Sequence, residues 1–325
     1  AETLLPMNDP VKDTAPQQPP CDISVVIPLY NKAAEIGRAV RSVLAQTLPP
    51  REVIVVDDGS TDGGADVVER MASSVVRLVR QENRGVSAAR NRGIAMASGR
   101  YVALLDGDDR WQPQYLEQVW RLIARYPDCG AYGTGFMVDT GGRLTVGDTP
   151  RTEGIVDFFR ESMTRYVLIP SAATLRRDLV MDVGGFPEGM RMGEDQWLWT
   201  VLARRAAVAF TPQPLAVYSR TASNRSAAIF RPESTSHSLY ELYDPAAEAM
   251  SNEYIARVAL GKALVQSAGG DTAAAAEALR LFSYSRLSRR IALKVRVLNA
   301  LPRRVRPAVI SIYNRLAWLL ARKGL

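Results

Sequence analysis

Cysteine is scarce in this sequence, and no hydrophobic run is long enough to cross a bilayer. Cys21 and Cys129 are isolated thiols without metal-ligand spacing, which fits a reducing compartment. No run reaches the roughly 18 apolar residues of a spanning helix. The first residues also lack the basic-then-apolar pattern of a signal peptide. These absences predict a cytoplasmic globular protein, and the 47% hydrophobic and 23% charged residues agree with that class.

Acidic residues are missing from the last 40 positions, although the chain carries a net charge of +7. Residues 286–325 contain 11 Lys and Arg and no Asp or Glu, so the other 285 residues carry a net charge of −4. This basic segment lacks any nucleic-acid-binding motif, and we therefore expect no nucleic-acid partner.

Two amphipathic helices are predicted in the basic segment, separated by Pro302 and Pro307. Their apolar faces consist of Leu287, Ile291, Val295 and Leu298, and of Val309, Ile312, Leu316 and Leu319. Such helices can lie on an anionic leaflet, here the inner face of the cell membrane. The alternatives are helices packed on the domain with a solvated basic face, or a homodimer contact.

Short β-branched strands alternate with helices through the first part of the chain, which predicts an α/β fold with a doubly wound parallel sheet. The strands are predicted at 23–27, 53–56, 75–79 and 101–105. Ligands of such sheets bind outside the carboxyl ends of the strands. The polar loops after Ile27, Val56 and Leu105 should therefore meet at one edge.

Three carboxylates follow the last of these strands within four positions: Asp106, Asp108 and Asp109. Carboxylates this close repel one another, so we expect a cation among them. Hard oxygen ligands suit Mg²⁺ or Mn²⁺, either of which could also hold a diphosphate. The alternative is a solvated acidic turn ahead of a helix.

Four motifs together resemble the inverting family 2 glycosyltransferases of the GT-A fold. They are Val25–Lys32 (VVIPLYNK), Ile54–Asp62 (IVVDDGSTD), Arg84–Gly93 (RGVSAARNRG) and Leu105–Asp109 (LDGDD). The resemblance covers roughly residues 21–220. It implies a GT-A domain at 21–235. Five prolines and little apolar pattern predict a disordered leader at 1–20, and the helical pattern beyond Tyr240 predicts a helical C-terminal region at 236–325. Within the domain, 21–128 would bind the donor and 129–235 would face the acceptor.

The resemblance also implies a nucleotide diphosphate sugar as donor, expected to be a UDP-sugar. Tyr30 would stack on the base and Asp58 would accept its imide N–H, although a core tyrosine and a helix-capping aspartate are the alternatives. Asp108 and Asp109 would hold Mn²⁺ or Mg²⁺, with Asp106 behind them. The further donor-binding residues would be Pro28, Asp57, Arg84, Arg90, Asn91 and Gly107.

Inversion by direct displacement requires a base that deprotonates the acceptor hydroxyl. Glu194 and Asp195 match the acidic pair of the family, and Asp195 is the predicted base. Carboxylates at a helix amino end are also common because they favour the helix dipole. His237, the only histidine, could complete the metal shell or be an ordinary surface residue.

No Gln-x-x-Arg-Trp signature of processive synthases follows Asp195, so we expect a non-processive enzyme. Its acceptor would be a glycan or lipid-linked glycan of a bacterial envelope polysaccharide. Two other functions compete with this one. A nucleotidyltransferase would carry a glycine-rich basic loop after the first strand, where Pro-Leu-Tyr-Asn stands instead. A non-catalytic nucleotide-sugar-binding module at the membrane would have no need of Glu194 and Asp195.

Overall fold

The computed structural model describes residues 21–71, 73–190, 192–222 and 237–312. The predicted leader 1–20 and most of the second basic helix therefore lie outside the described residues. In the described part, no helix is both long and apolar enough to cross a bilayer.

The strands and helices alternate as predicted up to residue 125. The strands are β1 (Ile23–Leu29), β2 (Glu52–Asp58), β3 (Val76–Gln81), β4 (Tyr101–Leu104), β5 (Arg110–Trp111), β6 (Ala131–Asp139), β7 (Leu144–Val146), β8 (Gly154–Val156), β9 (Ala173–Arg176) and β10 (Val208–Ser219). The helices are α1 (Ile36–Leu44), α2 (Gly64–Glu69), α3 (Val86–Met96), α4 (Tyr115–Arg125), α5 (Phe158–Ser162), α6 (Arg177–Asp182), α7 (Glu194–Arg205), α8 (Ala249–Gly269), α9 (Thr272–Leu281) and α10 (Arg289–Ala300).

The described strands form one mixed sheet in the order β3-β2-β1-β4-β9-β6-β10-β5, with β7 beside β6 and β8 beside β10. The parallel sheet predicted from sequence is present in β3, β2, β1 and β4. It does not extend through the whole sheet, because β9 pairs antiparallel with β4 and β6, and β5 pairs antiparallel with β10. β6 and β10 form a further parallel pair, and the chain between them contains α5, α6 and α7, as the crossover of a parallel pair requires.

The central strands are buried on both faces, which explains their continuous apolar sequences. Ile23, Val25 and Ile27 of β1 pack into the core on one side, and Val26 packs on the other. Helix α3 crosses that second side closely at Gly93, where an added Cβ would lie 2.4 Å from Val26 Cγ1. The close crossing fixes the amino end of α3 at the carboxyl edge of the sheet.

The C-terminal helices pack on the α/β part of the protein through α5 and α7. Arg204 of α7 donates hydrogen bonds to the Leu242 carbonyl and to Ser251 Oγ. Asp271 caps α9 by accepting from the Ala274 N–H, as its position after the glycine pair suggests.

Helix α10 uses its predicted apolar face to pack on α8 and α9, so that face is not free for a membrane. Val295 and Leu298 are buried, and Ile291 packs against the same clusters. Of the face predicted from sequence, only Leu287 is exposed, at 58%. The alternative of a helix packed on the domain is therefore correct for this face.

Candidate active site

A cavity of about 390 Å³ lies at the carboxyl edge of β1, β2 and β4. Its walls come from the loops after these strands, the amino ends of α3 and α7, and the end of β10. We call it the donor cavity. It brings together nine of the residues predicted from sequence: Pro28, Tyr30, Asp58, Arg90, Asp106, Gly107, Asp108, Glu194 and Asp195.

The loop after β1 is held against the loop after β2 by Asn31, which has the left-handed φ of 50°. Its backbone N–H donates to Ser60 Oγ, and its side-chain oxygen accepts from the Thr61 N–H at 2.8 Å. Tyr30 lines the cavity with 43% of its surface exposed, unlike a core tyrosine. This turn therefore places Tyr30 and Lys32 on either side of Asn31 along the cavity wall.

The two carboxylates at the end of β2 are buried and organise the neighbouring loops. Asp58 accepts hydrogen bonds from the Gln81 side chain and from the Arg84 and Gly85 N–H groups. Asp57 accepts from the Ser60 N–H and does not line the donor cavity. Asp58 thus also shapes the turn that leads into α3.

Two cationic side chains lie among the carboxylates after β4, as the repulsion between these carboxylates requires. Lys32 Nζ lies 2.7 Å from Asp108 Oδ2, and Arg90 Nη2 lies 2.8 Å from Asp106 Oδ1. The Lys32 contact was missed from the sequence. The expected need for a cation, together with the lysine at the end of the first motif, could have indicated it.

Asp109 differs from its prediction as a metal ligand, because its side chain is turned into the protein. It is fully buried, and its two oxygens accept hydrogen bonds from Ser171 Oγ at 2.5 Å and from the Ser219 N–H at 2.7 Å. Burial, and then the Asp106 and Asp108 charges, raise the pKa of Asp109 well above its ordinary value. Of the three carboxylates after β4, Asp106 and Asp108 line the donor cavity and Asp109 does not.

Arg90 connects the acidic loop to the amino end of α7. Its side chain is 4% exposed, and Nη1 lies 3.5 Å from Glu194 Oε1. Burial alone would lower the pKa of Arg90, but the Asp106 and Glu194 charges more than offset it and keep the guanidinium ionised. The guanidinium also lies over the Phe186 ring, 5.1 Å from its centroid. Arg90 therefore binds carboxylates from two segments, the loop after β4 and the amino end of α7.

Glu194 and Asp195 begin α7 and lie on the donor-cavity wall. Burial and the Asp195 charge raise the pKa of Glu194 to about 7, against the lowering effect of Arg90. Burial also raises the pKa of Asp195, which Arg90 opposes. Asp195 Oδ1 accepts a hydrogen bond from the Gln196 N–H. Glu194 and Asp195 therefore stabilise the amino end of α7 as well as lining the cavity.

Besides Asp57 and Asp109, three predicted site residues do not line the donor cavity. Arg84 pairs with Glu188 at 2.8 Å, and Asn91 exchanges two hydrogen bonds with the Phe186 backbone. His237 Nδ1 lies 3.0 Å from Glu241 Oε1, and His237 does not line the donor cavity. Across the described ranges, no three acidic, His or Cys side chains are grouped to hold a metal by themselves. An ion bound by Asp106 and Asp108 would need further oxygens from a ligand.

Residues 24–184 match the model of glycosyl transferase family 2. The succinoglycan biosynthesis protein ExoU of Rhizobium meliloti is 34% identical over 196 residues, which cover 55% of this chain and 56% of ExoU. TarS of S. aureus, in complex with UDP-GlcNAc, superposes with a TM-score of 0.67 at 18% identity and covers 85% of this chain and 90% of that structure. A mannosyltransferase of Pyrobaculum calidifontis, in complex with GDP-Man and Mn²⁺, gives a TM-score of 0.52 at 21% identity over 86% of each chain.

The fold is thus that of the GT-A glycosyltransferases, with a helical C-terminal region. The chain belongs to glycosyltransferase family 2 and is a glycosyltransferase enzyme.

Proposed function

We propose that this enzyme transfers a sugar, with inversion, from a nucleotide diphosphate sugar to a hydroxyl of a glycan or lipid-linked glycan. The observation that carries the proposal is the position of Asp195. This carboxylate shares the donor cavity with Asp106 and Asp108 and also lines a second cavity beside it. A base between two adjoining cavities is what a direct displacement between two substrates requires.

In the proposed reaction, Asp195 accepts the proton of the acceptor hydroxyl as its oxygen attacks the anomeric carbon. The bond from that carbon to the diphosphate oxygen breaks, and its electron pair leaves with the nucleoside diphosphate. Burial raises the pKa of Asp195, and the Arg90 guanidinium opposes this effect. The pKa of Glu194 is raised in part by the Asp195 charge, so the protonation of the two carboxylates is coupled.

Mn²⁺ or Mg²⁺ is proposed as the metal, with Asp108 and Asp106 as its protein ligands. Their carboxylate oxygens on one cavity wall have the hard character that both ions prefer. When bound, such an ion neutralises charge on the departing diphosphate. When the donor binds, Lys32 would leave Asp108 and pair with a phosphate oxygen of the donor. Asp109 would hold the loop after β4 in place through its hydrogen bonds to Ser171 and Ser219.

UDP is the proposed nucleotide and envelope polysaccharide synthesis the proposed setting. TarS in its UDP-GlcNAc complex supports the first, and the succinoglycan protein ExoU supports the second. Tyr30, exposed at the cavity wall, is the proposed stacking partner of the base.

The outward face of α10 is proposed to contact anionic lipid. Leu293 and Val297 are 59% and 53% exposed on this face. Three exposed arginines surround them: Arg289, Arg290 and Arg296. Apolar side chains within a cationic face are typical of helices at a membrane surface.

The test of the reaction is Asp195→Asn, compared with Asp182→Asn on the exposed side of α6 as the matched control. Wild type is first screened with UDP-, GDP- and dTDP-sugars and Mn²⁺ by thermal shift to find the donor. Asp195→Asn should then lower transfer by about 10²- to 10⁴-fold and leave the thermal shift with donor unchanged. Near-normal transfer by this variant would contradict the base assignment.

A further inference from the structure

A second cavity of about 330 Å³ adjoins the donor cavity, and we call it the side cavity. The two cavities share four wall residues: Asp106, Pro170, Asp195 and Tyr218. A ligand in the side cavity and a ligand in the donor cavity would therefore both reach Asp195. The side cavity has the volume of a small-molecule site.

Two aromatic side chains, Phe136 and Tyr166, line the side cavity and not the donor cavity. Phe136 of β6 is buried, whereas Tyr166 is 59% exposed and packs edge-on against it, with ring centroids 5.9 Å apart at 76°. The Tyr166 N–H donates to the Asp148 carbonyl, which holds this segment in place. Gly147 passes so close to the Phe136 ring that a Cβ would lie 2.5 Å from Cζ. Tyr166 is thus an exposed ring in a fixed position.

Charged side chains stand beside this aromatic wall. Asp148 and Arg220 line the side cavity with Tyr166, and Asp195 lies at its junction with the donor cavity. The Asp148 side chain is 69% exposed. Carboxylate acceptors and guanidinium donors around a ring face suit a ligand that is apolar on its faces and hydroxylated at its edge.

We infer that the side cavity binds the acceptor as a pyranose ring, with Tyr166 stacking on its C–H face and Asp148 and Arg220 binding its hydroxyls. The inference rests on the proposed function, since it takes Asp195 as the group facing the attacking hydroxyl. A lipid chain fits this cavity poorly, because it would remove water from Asp148, Arg220 and Asp195 without replacing their hydrogen bonds.

Saturation-transfer NMR tests the inference with four probes: the methyl glycosides of glucose, galactose, mannose and N-acetylglucosamine. UDP with Mn²⁺ is the probe of the donor cavity, and 1,4-butanediol is the hydroxyl control without a ring. In wild type, at least one glycoside should receive saturation at its ring C–H protons, and butanediol should receive none.

Tyr166→Ala should weaken glycoside binding by about 3- to 10-fold, whereas Tyr166→Phe should retain it because the ring face remains. The UDP signals should be equal in all three proteins. With the glycoside as acceptor, Tyr166→Ala should raise the acceptor KM and leave the donor KM unchanged.

Three results would overturn the inference. If no glycoside is saturated while UDP is, the ligand class is wrong and the donor site stands. If a glycoside binds equally well to Tyr166→Ala, the side cavity is not its site. If none of UDP, GDP and dTDP binds with Mn²⁺, the proposed function fails, and the acceptor assignment fails with it.

Discussion

Replacing Glu194 by Gln should stabilise the folded protein above neutral pH. Burial and the Asp195 charge raise the pKa of Glu194 from 4.5 to about 7 in the folded protein. A carboxyl with a raised pKa binds its proton more tightly when folded, so it costs no stability below pH 4.5. The cost grows as the pH rises towards 7 and is complete above it.

The difference between 4.5 and about 7 corresponds to roughly 3 kcal/mol of unfolding free energy. Because the Glu194 side chain is only 16% exposed, solvent screens this effect weakly. Glu194→Gln should therefore unfold with about 3 kcal/mol more free energy than wild type at pH 8, and with a much smaller difference at pH 5.

Urea unfolding, followed by tryptophan fluorescence, measures the free-energy difference at pH 8 and at pH 5. The control is Glu277→Gln on the exposed side of α9, which replaces a glutamate far from Arg90. In the Asp195→Asn background the gain at pH 8 should shrink, because the Asp195 charge is the second cause of the raised pKa. A gain that is equal at pH 5 and pH 8, or a loss of stability at pH 8, would refute the reasoning.

Three other changes test the packing, the acidic loop and the basic surface. Gly93→Ala should cost about 1–3 kcal/mol in urea unfolding because its Cβ would overlap Val26, whereas Gly261→Ala in α8, with nothing within 4 Å, should be neutral or stabilising. Lys32→Met should tighten binding of Mn²⁺ alone several-fold, measured by electron paramagnetic resonance, since Asp108 loses its partner; unchanged affinity would contradict the role of the pair. Replacing Arg289, Arg290 and Arg296 of the outward α10 face by Glu should reduce sedimentation of the protein with anionic liposomes. Its sedimentation with neutral liposomes should not change.

Local patterns were sufficient for the elements and the edge at which the site lies. The apolar runs that end at Ile27, Val56 and Leu105 identify the central parallel strands, because a strand buried on both faces needs a continuous apolar sequence. Parallel strands place their carboxyl ends together, and this rule brings Tyr30, Asp58 and Asp108 to one edge without knowledge of any contact.

Partners that come from distant segments were decided only by the tertiary structure. Lys32 beside Asp108, Arg90 between Asp106 and Glu194, and Asp109 turned towards Ser219 each depend on side-chain packing across 16 to 110 residues. Residue type and spacing carry no information on which carboxylate faces the cavity and which is buried.

The same distinction explains the basic helix. Its periodicity determined that one face of α10 is apolar, but an apolar face packs equally well on a protein surface and on a membrane. The positions of α8 and α9 decided between the two, since Val295 and Leu298 are buried against the protein and Leu293 and Val297 remain outside. Burial is a property of the whole fold, and a single helix cannot determine it.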